Sequence, residues 1–393
     1  MPATSGGRAD TEGRQGNHLV TSRAALAVWA VLFCVVTSSG SAARGRGPVV
    51  RREAPFPAVF DSAPARHAAS VQYEVLRGDF HMHALHSDGS VSPADRVLEA
   101  WEYGYDVIAI TDHAGLGAYE EAVPMARALD VLLLRGIETG LSEQEHLIAV
   151  GFSADYEPRN PHQWSETEGQ SEVFYRKQWQ RLTGAGGFVF YAHPHVGLRE
   201  PMLWGIDQGL LEGIEVYNGV VGSEWNTVES HGTYWYPFAF DWAVEYNLTI
   251  FANSDAHEAR ADTGQAVTLV LATDRSREAV LEALHAGRTI ACFNNMLCGH
   301  EWALQLLMTS LIDVRLVAVD GGRAFLRLEN HGPVELTAEI AGTPLEPVIL
   351  GPYQKALASL RRMPDIATIN WKNVYTRPTQ NLTTTHTLSD VTP

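Results

Sequence analysis

The stretch "RGDFHMHALHSDG", residues 77–89, places three histidines and two aspartates within thirteen positions. His81 and His83 alternate across Met82, so on an extended chain both imidazoles face the same way. Two neutral imidazoles at a strand end begin a transition-metal site. The pair alone also suits an ordinary surface strand, so the other metal-capable side chains decide. Asp88 follows in the same stretch, and His113 ends "VIAITDH". Glu138 ends "LLLRGIE", and His146 opens "HLIAVGF". His193 ends "FVFYAH", while Asp255 and His257 end "TIFANSDAH". All of them except His146 fall at or just past the C-terminal end of an apolar run. Unrelated polar caps would not close nearly every such run with His, Asp or Glu. Imidazoles mixed with carboxylates suit zinc, manganese or iron, and no cysteine accompanies them.

The elements that must position these groups are legible as alternation. "YDVIAIT" (105–111), "DVLLLRGIE" (130–138), "HLIAVGF" (146–152), "GFVFYAHP" (187–194), "GIEVYN" (213–218), "LTIFANSD" (248–255) and "AVTLVLA" (266–272) are short apolar runs. Helical candidates lie between them, such as "SPADRVLEAWEYG", which Ser92 or Pro93 starts and Gly104 ends, and "SREAVLEALHAGR", capped by Ser276. Such runs separated by helices predict parallel strands buried on both faces. About seven units of this kind predict an α/β fold, a (β/α) barrel whose strand C-termini converge on one face. After residue 300 the runs alternate and are separated by Gly, Pro and Asn, as antiparallel strands are. The expected division is a barrel over 73–292, a small β-rich domain over 293–375 and a tail over 376–393.

Upstream, Arg23 precedes "AALAVWAVLFCVV" and the small residues of "TSSGSAAR". This apolar run is short for a membrane span and has the length of a signal-peptide core. It predicts export with a signal peptide over 1–43; an uncleaved N-terminal anchor is the alternative, and cleavage leaves no stable membrane span. Residues 44–72, rich in Arg, Pro and Ala, read as a linker. Cys292 and Cys298 could pair in an oxidising compartment. The formal net charge of −17 disfavours a nucleic-acid polymer as partner. Bound cations and a small anionic substrate are compatible with it.

The series "DFHMH…SDG", "AITDH", "GIE" with a nearby His, "AHP" and "SDAH", in this order over roughly residues 76–292, resembles the polymerase and histidinol phosphatase (PHP) superfamily of metal-dependent phosphoesterases. The resemblance implies a distorted seven-stranded TIM-like (β/α) barrel holding two or three divalent metals. Carried over motif by motif, His81, His83, Glu138 and Asp255 hold one metal. Glu138 bridges to a second held by His146 and His193, and Asp88, His113 and His257 hold a third. Glu138 and Asp255 are thereby the carboxylates at the reacting centre. Two metals sharing a carboxylate stand about 3.5–4 Å apart, the spacing at which a bridging hydroxide becomes the nucleophile. Asp79 and Asp112, next to expected ligands, are candidates to hold an imidazole's second nitrogen.

For substrate, Arg199 and Arg260 follow ligand motifs and suit a phosphate oxygen. His231 lies on a long aromatic insert that could reach the same molecule. Trp164 and Trp179 in one insert, and Trp204, Trp225, Trp235 and Trp242 in another, either wall a pocket for a ring or acyl group or form loop cores. The expected activity is hydrolysis of a small phosphate mono- or diester. Some exported branches of the superfamily with a C-terminal β domain resemble carbamate or carboxylic ester hydrolases, which is the alternative on the same metals. A non-catalytic metal-binding protein is the third reading.

Overall fold

The computed structural model describes residues 49–388 except 53, 62–70, 114, 143, 153–164, 223–233, 260–265 and 362–364. The expected signal segment lies outside the described residues. The elements run β1 (Val59–Asp61), β2 (Val71–Asp79), α1 (Pro93–Glu102), β3 (Val107–Ile110), α2 (Gly117–Leu129), β4 (Leu132–Gly140), β5 (His146–Val150), α3 (Glu166–Gly169), α4 (Glu172–Thr183), β6 (Phe188–Tyr191), α5 (Glu200–Asp207), β7 (Gly213–Asn218), α6 (Pro237–Tyr246), β8 (Thr249–Asn253), β9 (Ala266–Ala272), α7 (Arg277–His285) and β10 (Thr289–Phe293). Then come β11 (Met296–Gly299), α8 (Glu301–Leu311), β12 (Ile312–Asp320), β13 (Arg323–Asn330), β14 (Leu336–Ile340), β15 (Val348–Leu350), β16 (Lys355–Leu360), β17 (Ile366–Arg377) and β18 (Gln380–Thr387).

Local signals set the helix starts. The Ser92 side chain accepts from Asp95 N ahead of Pro93, and the Ser276 side chain accepts from Ala279 N. In the strands, one set of buried residues packs together: Phe80, Leu134, Ile148, Phe190, Phe251 and Val270, with Val280 and Leu284 of α7 in the same cluster. The Phe190 and Phe251 rings stack at 4.2 Å, and Phe80 meets Phe251 edge-on at 5.6 Å. Each buried ring contributes about 1.5–3 kcal/mol of transfer energy.

The strand directions are mixed rather than all parallel. β2, β3 and β4 are parallel neighbours, as are β6, β7 and β8, but β5 and β9 run antiparallel to theirs. The cause at β5 is connection length. Only residues 141–145 separate β4 from β5, too few for a parallel crossover. Among the described residues β8 ends the ladder's path, with β7 as its strand partner. β8 meets β9 and β10 through threonine hydroxyls. Thr268 accepts from Ala252 N (3.0 Å) and donates to its O (2.9 Å), and Thr289 does the same for Ile250 (3.2 and 2.8 Å). Beyond the strand ends, His83 N donates to Ala256 O and Asp255 N to His81 O, both at 2.9 Å. The chain ends that carry candidate ligands are thus tied directly together.

The C-terminal region is β-rich and continuous with the rest. β10 and β11 form a hairpin, and β11 pairs in parallel with β17. β14, β15, β17 and β18 thereby extend the large sheet, while β12, β13 and β16 form a second one. Leu326, Leu328 and Leu360 of the second sheet share a core with Ile369, Trp371 and Leu382 of the first. Two expectations need correction, and the pairing of Cys292 with Cys298, left open by the sequence, is answered. The segment from 376 is not a tail: β17 runs to Arg377, and β18 pairs along it. The span 44–72 is not wholly linker, because β1 pairs with the start of β2. Cys292 and Cys298 are both free. Cys298 lies opposite Ala291 and Cys292 opposite Leu297, so the two thiols point to opposite faces of the hairpin.

Candidate metal centre

Extensions of β2 and β8 bring the first ligands in. His81 and His83 leave β2, and the chain turns back at once: Ser87 N and Gly89 N donate to Ala84 O at 3.2 and 3.1 Å. Asp112 Oδ1 fixes this turn by accepting from Ala84 N (2.8 Å) and Ser87 Oγ (2.5 Å). A Cβ at Gly89 would lie 2.6 Å from Ala84 N, so only glycine lets the turn place Asp88 beside His83. Two candidate ligands carry left-handed backbone, Asp255 at φ 53° and His193 at φ 25°. Strain of this kind, of order 1–3 kcal/mol, is kept where surrounding structure over-determines it.

The structure brings all nine expected residues together. His81 Nε2 lies 3.1 Å from both Glu138 Oε2 and Asp255 Oδ1. His83 Nε2 lies 3.1 and 3.2 Å from the same two oxygens. The other oxygen of Glu138, Oε1, faces His146 Nδ1 at 2.7 Å and His193 Nε2 at 3.0 Å. Glu138 therefore turns each oxygen to a different group of histidines. Asp88 gathers the remaining set: His113 Nε2 and His257 Nε2 each stand 3.3 Å from its Oδ2, and His83 Nδ1 stands 3.2 Å from Oδ1. The His257 ring stacks on His83 at 4.2 Å. The sets His81–His83–Glu138–Asp255, Glu138–His146–His193 and His83–Asp88–His113 each present ligand atoms within 4.8 Å of one another. His83 thus takes part in the third tight set, while His257 touches it through Asp88.

These groups fit a divalent cation. His83 Nε2 and Asp255 Oδ1 are buried, 3.2 Å apart, and neither is hydrogen-bonded. Ionised acids dominate the field. Burial opposes the charge on Glu138, but His81, His146 and His113 outweigh it and hold the carboxyl well below its usual range. Burial likewise opposes charge on His81 and His83, and the surrounding carboxylates nonetheless raise both well above the ordinary value. A cation bound here would have to displace these protons, because ligands must deprotonate to coordinate.

One residue that matters here was not singled out from the sequence. Glu215, in the middle of β7, is fully buried. Its Oε1 accepts from His81 Nδ1 (3.0 Å) and Asn253 Nδ2 (2.8 Å), and its Oε2 accepts from His193 N (2.7 Å) and Asn218 Nδ2 (2.9 Å). The signal was available, since an acid inside the apolar run "GIEVYN" has no place without partners. The role expected of Asp79 and Asp112 falls to Glu215. Both aspartates bond backbone and hydroxyl groups rather than imidazoles: Asp79 accepts from His81 N and Ser254 N, and burial raises its pKa to about 7.

The expected substrate contacts fare differently. Arg199 Nε donates to the buried Glu145 carboxylate at 2.9 Å, and its side chain is 30% exposed. Arg260 and His231 lie outside the described residues. His86 sits apart from the cluster, with Nε2 2.9 Å from Glu121. Trp179 and Trp235 are fully buried, as loop cores require. Trp179 packs over Gly205 and donates to Pro201 O. Trp204 tilts against Tyr175 and Trp242 meets Phe238 edge-on, while Trp164 and Trp225 lie outside the described residues.

Residues 79–258 match the family model described as the PHP domain, and residues 235–289 match the one described as PHP-associated. A 5'-3' exoribonuclease of Haemophilus influenzae is 30% identical over 77 residues, 19% of this chain and 28% of that protein. A PolC-type DNA polymerase III of Lacticaseibacillus paracasei is 38% identical over 86 residues, 21% of this chain and 6% of the polymerase. The chain therefore spans well under a third of the length of either relative. Among solved structures, a two-domain protein of Bacteroides vulgatus, described as containing a predicted PHP-like metal-dependent phosphoesterase, superposes with a TM-score of 0.71 at 23% identity. That match covers 87% of this chain and all of the other, so the likeness in fold extends through the C-terminal β-rich region.

Proposed function

We propose, for a chain that carries a PHP domain, a metal-dependent hydrolase that cleaves phosphate mono- or diesters of a small molecule. The observation that carries this reading is the divided carboxylate of Glu138, with one oxygen toward His81 and His83 and the other toward His146 and His193. His81, His83, Glu138 and Asp255 would hold one cation, Glu138, His146 and His193 a second, and Asp88, His113 and His257 a third. When bound, such cations activate water and neutralise charge on a phosphoryl group. The chain's own residues supply the rest. Glu215 holds the His81 Nδ1 proton and leaves Nε2 to face Glu138 and Asp255. Arg199, whose Nε donates to the buried Glu145 carboxylate, is the cation proposed to meet a phosphate oxygen.

The named relatives include an exoribonuclease and a DNA polymerase. The net charge of −17 supports a small substrate over a polymer here. The apolar run near the N-terminus supports export, and among the described residues no helix is long and apolar enough to cross a membrane. The test is metal analysis of purified protein followed by turnover on aryl phosphates, phosphodiesters, carbamates and carboxylic esters. The expected result is two to three equivalents of zinc, manganese or iron, with phosphate esters cleaved fastest. Turnover confined to carbamates or carboxylic esters would retain the metal centre and overturn the phosphoesterase reading.

A further inference from the structure

A cavity of about 770 Å³ opens in the C-terminal β-rich region, lined by β13, β14, β16, β17 and the turn after β14. Its wall is apolar at Ile340, Leu345 and Ile366 and cationic at Arg323 and Arg361, with no acidic residue among its lining. The Ser359 hydroxyl, also in the lining, is buried and has no hydrogen-bond partner. That is an unusual balance for a chain of net charge −17. The other described cations of this region stand beside acids: Arg315 and Arg327 at Asp313, Lys355 at Glu329, Lys372 at Glu339 and Arg377 at Asp241. Arg323 and Arg361 form no such pair among the described residues.

Strand register brings the two arginines to one end of the second sheet. β13 and β16 pair Phe325 with Ser359 and Ala324 with Leu360. Arg323 begins β13 and Arg361 follows the last residue of β16, each one step beyond the Ala324–Leu360 pair. A guanidinium pair and a hydroxyl donor suit an oxyanion. The apolar wall suits a hydrocarbon body, and the volume is that of ordinary small-ligand sites.

We propose that this cavity binds an anionic amphiphile, a carboxylate or phosphate head carried on an apolar chain, at a site separate from the metal centre. The head lies between Arg323 and Arg361 with Ser359 donating, and the chain lies along Ile340, Leu345 and Ile366.

Isothermal titration of the metal-replete protein with decanoate and with decyl phosphate, below their micelle concentrations, tests this. One equivalent of either should bind at this cavity, beside whatever decyl phosphate, a phosphate monoester, binds at the metal centre, and R323Q/R361Q should weaken that arginine-dependent binding by about tenfold or more for the loss of two charge-assisted contacts. Thermal midpoint and phosphoesterase turnover of that double variant should match the parent, since neither arginine touches the metal centre. L345D, which puts a like charge on the apolar wall, should weaken binding of both probes. The relative strength of the two probes tells which head the site prefers. Decanol binding as tightly as decanoate would overturn anion recognition. Inorganic phosphate binding as tightly as decyl phosphate, in an arginine-dependent way, would overturn the role of the apolar chain. Binding that persists in R323Q/R361Q and disappears in E138Q would place the ligand at the metal centre and overturn the proposal, as would no binding of either probe.

Discussion

Glu215 Oε1 lies 3.0 Å from His81 Nδ1, and both side chains are fully buried. Because a carboxylate only accepts, a ring proton is held on Nδ1, and Nε2, which faces Glu138 and Asp255, is the nitrogen that could coordinate a cation once its own proton leaves. The same carboxylate holds the left-handed backbone of His193 through its amide. One buried acid therefore orients a residue from each of the two groups that Glu138 separates.

Glu215→Gln should therefore loosen metal binding without removing a ligand. An amide has one accepting oxygen, whereas Glu215 uses both oxygens for two N–H donors each. Its NH2 would face donors on one side, leaving buried groups unsatisfied at about 1–3 kcal/mol. The expected loss of metal affinity is about 10–100-fold, the usual effect of removing an outer-shell partner. Competition against a chromophoric chelator measures it, and unchanged affinity would show that Glu215 serves only the fold.

Exchange of the central carboxylate should be far more severe. Glu138→Gln replaces a charged donor shared by both histidine groups with a neutral amide, so at least one equivalent of metal should be lost. Turnover should fall by roughly three orders of magnitude or more, as several kcal/mol of transition-state stabilisation disappear. His86→Ala should cost less than about tenfold, since His86 bonds Glu121 rather than the cluster. Metal content and rate are read together, with circular dichroism as the folding check. A Glu138→Gln protein with full metal and near-parental rate would refute the central role of this residue.

Spacing made much of the centre legible before any fold was known. His81 and His83 share a strand face, and a polar residue closes nearly every apolar run, so convergence at one end of the sheet follows from the fold class. Direction was less legible. The run "HLIAVGF" reads as another parallel strand by composition, and only the five-residue link after β4 reveals the hairpin. An acid inside the apolar run "GIEVYN" already demanded partners, but which ones stayed hidden, because His81, His193 and Asn253 lie far from Glu215 in the chain. The Thr-rich segment of β18 was equally opaque. Thr384 accepts from Trp371 Nε1 at 2.9 Å, a cross-strand contact that composition alone reads as a polar tail.

That contact marks the C-terminal region as structural support for the rest. Trp371 is fully buried in the core shared with α8 and β12–β18, and Tyr375 two turns of the pleat further along lies 6.3 Å from Trp235. Trp235 bridges in turn to Tyr217 of β7. Trp371→Ala should destabilise the protein by about 3–5 kcal/mol, the range for emptying a large aromatic site. Urea unfolding measures the change, and a loss below about 1 kcal/mol would mean that this core repacks around the void.

The last expectation concerns pH. His285 Nδ1 lies 2.5 Å from Glu212 Oε2, and this hydrogen bond raises the histidine above its ordinary value of 6.5, with partial burial acting the other way. A raised folded-state pKa means that the folded protein holds the proton more firmly than the unfolded chain does. The stabilisation is therefore complete below the unfolded value and is lost as pH rises through the folded one. Glu212→Gln removes the charge that raises it. The parent should be more stable than Glu212→Gln at about pH 5.5, and the difference should shrink at about pH 8.5, where the imidazole is neutral in both. Urea midpoints of the two proteins at each pH provide the measurement. A difference that grows with pH would mean that the pair does not act through the protonated ring.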